Sequence, residues 1–237
     1  MEPAWKGGRM IRKTESAAAP QANGQPALAG HAAERRVGLA LDKHFVSLYQ
    51  RLAALQNGSA RSGQVIGVTS CQPGEGVSTV AIGLAACAAQ LGGAPALLVD
   101  ANLAHPSIAR MLEVGAEPGL FEVLMGTMEP GDCIRPSKFA GLSLMTSGCW
   151  ALGVEPAYIP ATLAALVAEL RGSYATIVFD LPAAEECSPS SVMGSALDGV
   201  VLVVEAERLR DETARRATLR LQQANVVVLG VVLNKRK

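Results

Sequence analysis

The chain has 237 residues, a length that suits one domain with a tail. It has 21 Lys or Arg and 21 Asp or Glu residues, so the overall charge does not indicate nucleic acid or a membrane as the main partner, and any such contact must be local. The five cysteines are odd in number and lack the short paired spacings of zinc and redox motifs, which favours reduced thiols in a cytosol. No apolar run approaches the roughly 20 residues that a membrane-spanning helix needs, and we expect a soluble, cytoplasmic protein.

The first 60 residues divide into two segments. Residues 1–37 are rich in Ala, Pro, Gly and Gln, a composition that buries too little apolar surface to offset its ordering entropy, and they are predicted to be a disordered tail. Residues 38–60 are predicted to be an amphipathic helix and linker, because apolar residues recur there at helical spacing. These residues are Phe45, Leu48, Leu52 and Leu55. The remaining residues, 61–237, are predicted to form the folded domain.

From Arg61 onward, short apolar runs alternate with helical patterns. The predicted strands are QVIGVTS, ALLVDA, LSLMTS, ATIVFD, GVVLVVE and NVVVLGVVLN. The predicted helices are Val77–Leu91, Leu120–Met125, Pro160–Arg171, Pro189–Leu197 and Arg210–Gln223. Most of the strands show no polar alternation, which predicts a sheet covered on both faces. The alternation of strand and helix predicts an α/β fold with a doubly wound, mainly parallel sheet.

A glycine-rich loop, SCQPGEGVST, joins the first predicted strand to the first helix of this domain. Gly74 and Gly76 allow the backbone on either side of Glu75 to curl with its N–H groups inward. The helix N-terminus adds partial positive charge, so the loop can hold phosphate. The hydroxyls of Ser78 and Thr79 stand where a metal-bound phosphate would be met. The simpler alternative is a glycine-rich turn between a strand and a helix.

Several motifs in the same order resemble the bacterial tyrosine kinases of exopolysaccharide synthesis, a branch of the MinD/ParA-like P-loop proteins. TSCQPGEGVST resembles their Walker A loop TSAxPGEGKST, and LLVDANLAHPS resembles their second motif LLIDADLRRPS. PGLFEVLMG resembles PGLxDVLxG, and YATIVFDLP resembles the Walker B run YDxVIIDTPP. DGVVLVVEAE and VVVLGVVLN also match in kind and order, so the similarity runs from Leu48 to Asn234. It implies the P-loop NTPase fold, with ATP or ADP and magnesium as cofactors.

The resemblance also implies roles for individual residues. The implied nucleotide-binding residues are Gly74, Glu75, Gly76, Ser78, Thr79 and Asn234, the last facing the adenine. Asp100 and Asp180 are implied as catalytic carboxylates that hold magnesium together with Ser78. Each Asp has a simpler interpretation as a turn residue that ends a strand, and so does Asn234.

Three positions in the implied site depart from the family pattern. Val77 stands where the family has the lysine that reaches the β- and γ-phosphates, and loss of one such contact costs on the order of 10²–10³ in rate. Asn102 replaces a second Asp, which removes a charge and a candidate base. Ala104 replaces an Arg. These three replacements indicate a degenerate site.

Two further features of the family are not matched. The family carries a tyrosine-rich C-terminal phosphoacceptor tail, whereas this sequence stops at Lys237 soon after the last predicted strand, and we expect no such acceptor. Its tyrosines, interpreted as packing aromatics, are Tyr49, Tyr158 and Tyr174. The family's oligomerisation helix has Glu and Arg in a pattern like EAYRTLRTN. The aligned residues here are Ser47, Gln50 and Ala53, so a homo-oligomer is left open.

The leading hypothesis from sequence is a degenerate kinase-like protein of polysaccharide synthesis or export. It would bind a membrane-embedded co-polymerase at the inner face of the cell membrane, with nucleotide binding weak or absent and no nucleic-acid partner. The second hypothesis is a working ATPase or tyrosine autokinase that obtains its cation elsewhere. The internal candidates for that cation are Lys43, Lys138 and Lys235. A third, less favoured hypothesis is a MinD/ParA-like positioning ATPase, which would associate with lipid or DNA when ATP is bound.

Overall fold

The computed structural model describes residues 42–56, 63–149, 159–186, 196–206 and 211–234. The helices in these ranges are α1 (Lys43–Gln56), α2 (Val77–Leu91), α3 (Ile108–Leu112), α4 (Leu120–Leu124), α5 (Ile159–Leu170) and α6 (Asp211–Gln223). The strands are β1 (Gln64–Ser70), β2 (Ala96–Asp100), β3 (Ile134–Pro136), β4 (Leu142–Met145), β5 (Thr176–Asp180), β6 (Gly199–Glu205) and β7 (Val228–Asn234). No helix in these ranges is long and apolar enough to cross a lipid bilayer.

The described strands form one seven-stranded sheet in the order β3-β4-β2-β5-β1-β6-β7. All neighbouring pairs are parallel except β3 with β4, which is antiparallel. The parallel pairing confirms the predicted α/β fold. Because parallel strands end at the same edge, the residues that follow β1, β2 and β5 come together there. In particular, Asp100 at the end of β2 is the register partner of Asp180 at the end of β5.

Hydrophobic clusters cover both faces of the central strands. One cluster packs α4, α5 and α6 against the sheet, and the other packs α2 and α3 against the opposite face. The amphipathic helix α1 lies on the outside of α2, where Phe45 packs against Gly83 and Leu52 is buried. The strand and the helix that the β1–α2 loop connects are therefore both packed in the hydrophobic core.

The predicted elements agree closely with the observed ones. All six predicted strands are confirmed, with ends within three residues, and the α2 bounds are as predicted. The prediction missed several short elements, among them β3 and α3, which have only 3 and 5 residues and so carry no periodicity. It also missed the 3-10 helices Pro130–Cys133 and Ala184–Glu186. The predicted helix Pro189–Leu197 falls mostly on residues outside the described ranges. So does the predicted disordered tail, residues 1–37.

The predicted coverage of both sheet faces is wrong for β7. This strand lies at the edge of the sheet, next to β6 alone. Val231 and Leu233 are 59% and 62% exposed although both are apolar. The apolar run NVVVLGVVLN therefore reflects the β-propensity of an edge strand and not burial on both faces.

Candidate nucleotide-binding site

The loop between β1 and α2 has the backbone geometry of a phosphate cradle. Gly74 and Gly76 both have positive φ, 83° and 98°, a region that residues with a side chain rarely adopt. Gly76 is the N-cap of α2, and no side chain caps this helix end. The first N–H groups of a helix have no intrahelical acceptor, so those at the start of α2 can bind an anion. The first turn also contains no acidic residue that would repel it.

The side chain of Glu75 fixes the loop to the sheet, a role that the sequence did not indicate. The side chain is buried, with the residue only 4% exposed. Its Oε2 accepts a hydrogen bond from the Gln72 N–H at 2.8 Å, and its Oε1 accepts one from the Glu205 N–H at 3.1 Å. Because Glu205 ends β6, the carboxylate ties the middle of the loop to the strand that lies between β1 and β7.

Asn234, at the end of β7, also contacts the loop. Its Nδ2 donates a hydrogen bond to the Glu75 carbonyl at 2.8 Å. A Cβ at position 76 would lie 2.2 Å from the same Nδ2, so Asn234 occupies the space that only a glycine leaves open. The structure thus places Asn234 against the phosphate loop. Its contact with adenine stays a prediction.

The two aspartates and Ser78 meet at the carboxyl edge of the sheet. Asp100 is fully buried and accepts hydrogen bonds at Oδ2 from the N–H groups of Ser107 and Ile108, at 3.1 and 2.9 Å. Its Oδ1 accepts from the Asn102 N–H at 3.3 Å. Burial raises the pKa of Asp100 to about 6 against the opposing effect of these three hydrogen bonds. Asp100 therefore also caps the N-terminus of α3.

The Asp180 carboxyl group is buried without a hydrogen bond that would offset its loss of hydration. The residue is 1% exposed, and neither carboxylate oxygen has a hydrogen-bond partner among the described residues. Burial, and next the negative charge of Asp100, raise the pKa of Asp180 well above its usual value. The Ser78 hydroxyl faces the carboxylate closely enough to oppose that rise, although it does not meet hydrogen-bonding geometry. A buried carboxylate without a partner is costly to the fold and suits a site that a cation completes.

The side chains at the three departing positions are used away from this carboxylate pair, although the Asn102 N–H donates to Asp100. Val77, half-buried, packs against the hydrophobic cluster on the α2 face of the sheet. Asn102 uses its side-chain oxygen locally, accepting from the His105 N–H at 3.1 Å, and Ala104 is exposed. None of the three supplies a charge to the loop.

Sequence reasoning missed Ser107, which joins two of the predicted site residues. Its N–H donates to Asp100, and its Oγ lies 2.7 Å from Ser78 Oγ. The signal in the sequence was slight, since a serine that directly precedes a helix usually serves as an N-cap. Thr79, also half-buried, follows Ser78 in the first turn of α2.

Comparison with known proteins agrees with this geometry. The family model of ParA, described as NUBPL iron-transfer P-loop NTPase, matches residues 61–237. The tyrosine-protein kinase YwqD of Bacillus subtilis is 30% identical over 172 residues, which cover 72% of this chain and 71% of YwqD. The tyrosine-protein kinase CpsD of Streptococcus agalactiae is 27% identical over 178 residues, which cover 75% of this chain and 77% of CpsD. The succinoglycan biosynthesis transport protein ExoP of Rhizobium meliloti is 29% identical over 193 residues, 78% of this chain but 24% of ExoP.

Solved structures show the same relationship. The VpsO kinase domain superposes with a TM-score of 0.71 at 28% identity, covering 89% of this chain and all of that domain. The septum site-determining protein MinD of Pyrococcus horikoshii, solved with Mg-ADP, shares the fold with a TM-score of 0.59 at 24% identity, covering 72% and 70% of the two chains. The chain therefore belongs to the ParA family of P-loop NTPases, within the branch of the bacterial tyrosine kinases.

Proposed function

We propose that this chain is a degenerate tyrosine-kinase-like P-loop protein that assists polysaccharide synthesis or export as a regulator or scaffold. In this role it binds a membrane-embedded co-polymerase, which brings it to the inner face of the cell membrane. Its binding of ATP or ADP is weak or lost, and it transfers no phosphate to tyrosine. ExoP, which is named as a succinoglycan biosynthesis transport protein, supports the polysaccharide part of this proposal.

The observation that carries the proposal is the combination of a formed phosphate loop with Val77 at its cation position. Gly74, Gly76 and the uncapped start of α2 provide the backbone donors. Val77 instead packs its side chain against the core and provides no charge for the phosphates. Since charge-assisted contacts are about twice as strong as neutral ones, this loss weakens nucleotide binding.

The residues at the carboxyl edge of the sheet fit a magnesium ion. Mg²⁺ prefers oxygen ligands, and Ser78, Asp100 and Asp180 supply one hydroxyl and two carboxylates. The oxygens of Asp180, which have no hydrogen-bond partner among the described residues, support a cation at this position. Magnesium would supply charge neutralisation for the β- and γ-phosphates of a bound nucleotide. The protein side chains would hold it, while the loop N–H groups orient the phosphates.

The same three residues favour a second candidate function, a working ATPase or tyrosine autokinase. A buried Asp180 with no hydrogen-bond partner among the described residues is costly to the fold, and a bound metal would offset that cost. In this case the cation would come from another residue or from a partner. Tight nucleotide binding would favour this candidate.

The deciding experiment is a calorimetric titration of the purified protein with ATP and ADP in the presence of magnesium, together with a search for co-purified nucleotide. We expect weak or undetectable binding and no ATP hydrolysis. Submicromolar binding with turnover would support the second candidate. A pull-down with the cytoplasmic segments of the co-polymerase encoded in the same genome would test the proposed scaffold role.

A further inference from the structure

We propose that Ser107 is a positioning residue of the metal site, acting through Ser78. It holds the Ser78 hydroxyl so that the hydroxyl proton faces Asp180 and a lone pair of the oxygen is left for a divalent cation. This inference rests on the proposed magnesium-nucleotide site and adds a residue to it. Ser107 itself touches neither metal nor phosphate.

The contact joins parts of the chain that meet only in the folded protein. Ser107 lies at the end of the loop between β2 and α3, and Ser78 lies in the first turn of α2, 29 residues earlier. Ser107 Oγ donates to Ser78 Oγ at 2.7 Å, while the Ser107 N–H donates to Asp100 Oδ2 at 3.1 Å. One residue is thus bonded to two of the three proposed metal ligands.

The direction of the hydroxyl bond follows from the acceptors available. Ser107 Oγ can donate to Ser78 Oγ or to Met111 Sδ, which is 3.7 Å away and the weaker acceptor. If Ser78 donated to Ser107 instead, no hydroxyl proton would be available to turn to the oxygens of Asp180, which have no hydrogen-bond partner in the described part of the chain. Donation from Ser107 leaves the Ser78 proton free to turn to that buried carboxylate.

The remaining capacity of Ser78 then suits a metal. A serine hydroxyl has one proton and two lone pairs. With the proton directed at Asp180 and one lone pair accepting from Ser107, the second lone pair has a fixed direction and no donor among the described residues. Without Ser107, the Ser78 hydroxyl could rotate about its Cβ–Oγ bond. A cation that binds would then have to fix the direction of this hydroxyl, which lowers the metal affinity. Partners that orient a metal ligand in this way are typically worth 10–100-fold in metal affinity.

The test uses Mn²⁺ as the metal probe and ADP as the nucleotide, with free Mn²⁺ measured by electron paramagnetic resonance. The chain would be studied as wild type and in a Val77→Lys background, which strengthens the signal if the wild type binds weakly. We expect Ser107→Ala to weaken Mn²⁺ binding about tenfold. Ser107→Thr, which keeps the hydroxyl, should restore affinity to within about twofold. The matched control is Ser137→Ala, which removes a serine hydrogen-bonded to the Phe139 N–H at 3.0 Å, away from the site.

A second measurement separates positioning from general damage. ADP affinity in excess EDTA should be equal in the wild type and Ser107→Ala, because Ser107 acts on the metal and not on the phosphate loop. Equal loss of ADP affinity with and without Mn²⁺ would show a structural role and overturn the inference. Unchanged Mn²⁺ affinity in Ser107→Ala would overturn it while leaving the proposed nucleotide site intact. No Mn²⁺ binding in either background would refute the proposed metal site, and the inference with it.

Discussion

The metal-binding side and the phosphate-charge side of the candidate site differ in how they are built. On the metal side, Asp100 and Asp180 are fixed by strand register, and Ser78 is fixed by the first turn of α2. On the other side, Val77 stands at the position where the family resemblance implies the lysine that meets the phosphates. The metal side depends on buried elements shared with the whole fold, whereas the charge side depends on one side chain.

With this arrangement, the proposed loss of the lysine charge would leave the shape of the site unchanged. Val77 packs against the hydrophobic cluster on the α2 face, so its presence is compatible with a well-packed helix start. Removing a carboxylate from the end of β2 or β5 would instead change groups that are buried in the centre of the sheet. Substitutions can therefore probe the two sides separately.

The largest effect is expected where the phosphate loop meets β7. Gly76→Ala places a Cβ at positive φ and 2.2 Å from the Asn234 amide nitrogen, so both backbone strain and overlap oppose it. We expect the free energy of unfolding to fall by about 2–4 kcal/mol. Urea denaturation measures this change, and fluorescence titration with a labelled ADP measures the accompanying loss of binding.

The matched control for this change is Gly74→Ala. Gly74 also has positive φ, but a Cβ there would have no heavy atom within 4 Å, so the substitution adds strain without overlap. It should cost only about 1–2 kcal/mol. Adding Asn234→Ala to Gly76→Ala should recover part of the loss. Equal costs at the two glycines would show that the contact with Asn234 does not shape the loop.

The charge side is tested by adding the missing cation. Val77→Lys should strengthen ATP binding by about 1.5–3 kcal/mol, roughly tenfold or more, because a charged donor then meets the phosphates. Turnover should stay low while Asn102 and Ala104 remain, since attacking group and metal must also be aligned. Calorimetry and phosphate release measure the two quantities.

Val77→Met provides the control for side-chain length without charge and should leave the affinity unchanged. Adding Asn102→Asp and Ala104→Arg to Val77→Lys tests whether turnover returns with the family's other residues. If Val77→Lys leaves the affinity of wild type unaltered, the loop is closed to nucleotide and the proposal of an intact cradle is wrong.

The metal side is tested by the pH dependence of stability. Because the native pKa of Asp180 lies well above its unfolded value, the native state binds more protons between those two values. Stability should therefore fall as pH rises from about 4 through the native pKa. Asp180→Asn should reduce this slope and raise the free energy of unfolding at pH 7 by about 1–3 kcal/mol.

Urea denaturation in EDTA at a series of pH values measures this slope. The exposed Asp132→Asn is the control and should change neither the slope nor the stability at pH 7. A decrease in stability of Asp180→Asn at pH 7 would mean that the carboxylate has a partner in the metal-free protein.

The smallest effect is expected in an autophosphorylation assay. With Val77, Asn102 and Ala104 in place of the family's charged residues, incubation with ATP and magnesium should leave phosphotyrosine at background. Mass spectrometry would examine Tyr49, Tyr158 and Tyr174. Phosphotyrosine that disappears in Asp180→Ala would identify an active kinase and support the second candidate function.

Sequence patterns were sufficient for the central fold because local and global signals agree there. The strand QVIGVTS and the helix that begins at Val77 have the predicted bounds, since their apolar composition is matched by burial in the core. The short elements β3 and α3 have too few residues to show a period. The exposure of β7 could not be read from its composition, because an edge strand and a central strand can have the same apolar residues.

In the site, residue types were predictable but side-chain partners were not. The positions of Ser78, Asp100 and Asp180 follow from motifs that end strands or begin a helix. One of the two partners of the Glu75 carboxylate is the Glu205 N–H, 130 residues away, and no local pattern indicates such a contact. The bond from Ser107 to Ser78 likewise depends on how α2 and the loop before α3 pack together.

The two hydrogen bonds of the Glu75 carboxylate also bear on how a ligand would enter the loop. They hold its middle to Gln72 on one side and to Glu205, at the end of β6, on the other. A loop that is already ordered loses little conformational entropy when it binds a phosphate. Amide hydrogen exchange at Gln72 and Glu205, whose N–H groups donate to Glu75, should therefore be slow in the ligand-free protein and change little with ADP. Differences in ADP affinity among variants that change a charge near the loop would then measure the electrostatic interaction with the phosphates, because the loop does not have to fold on binding.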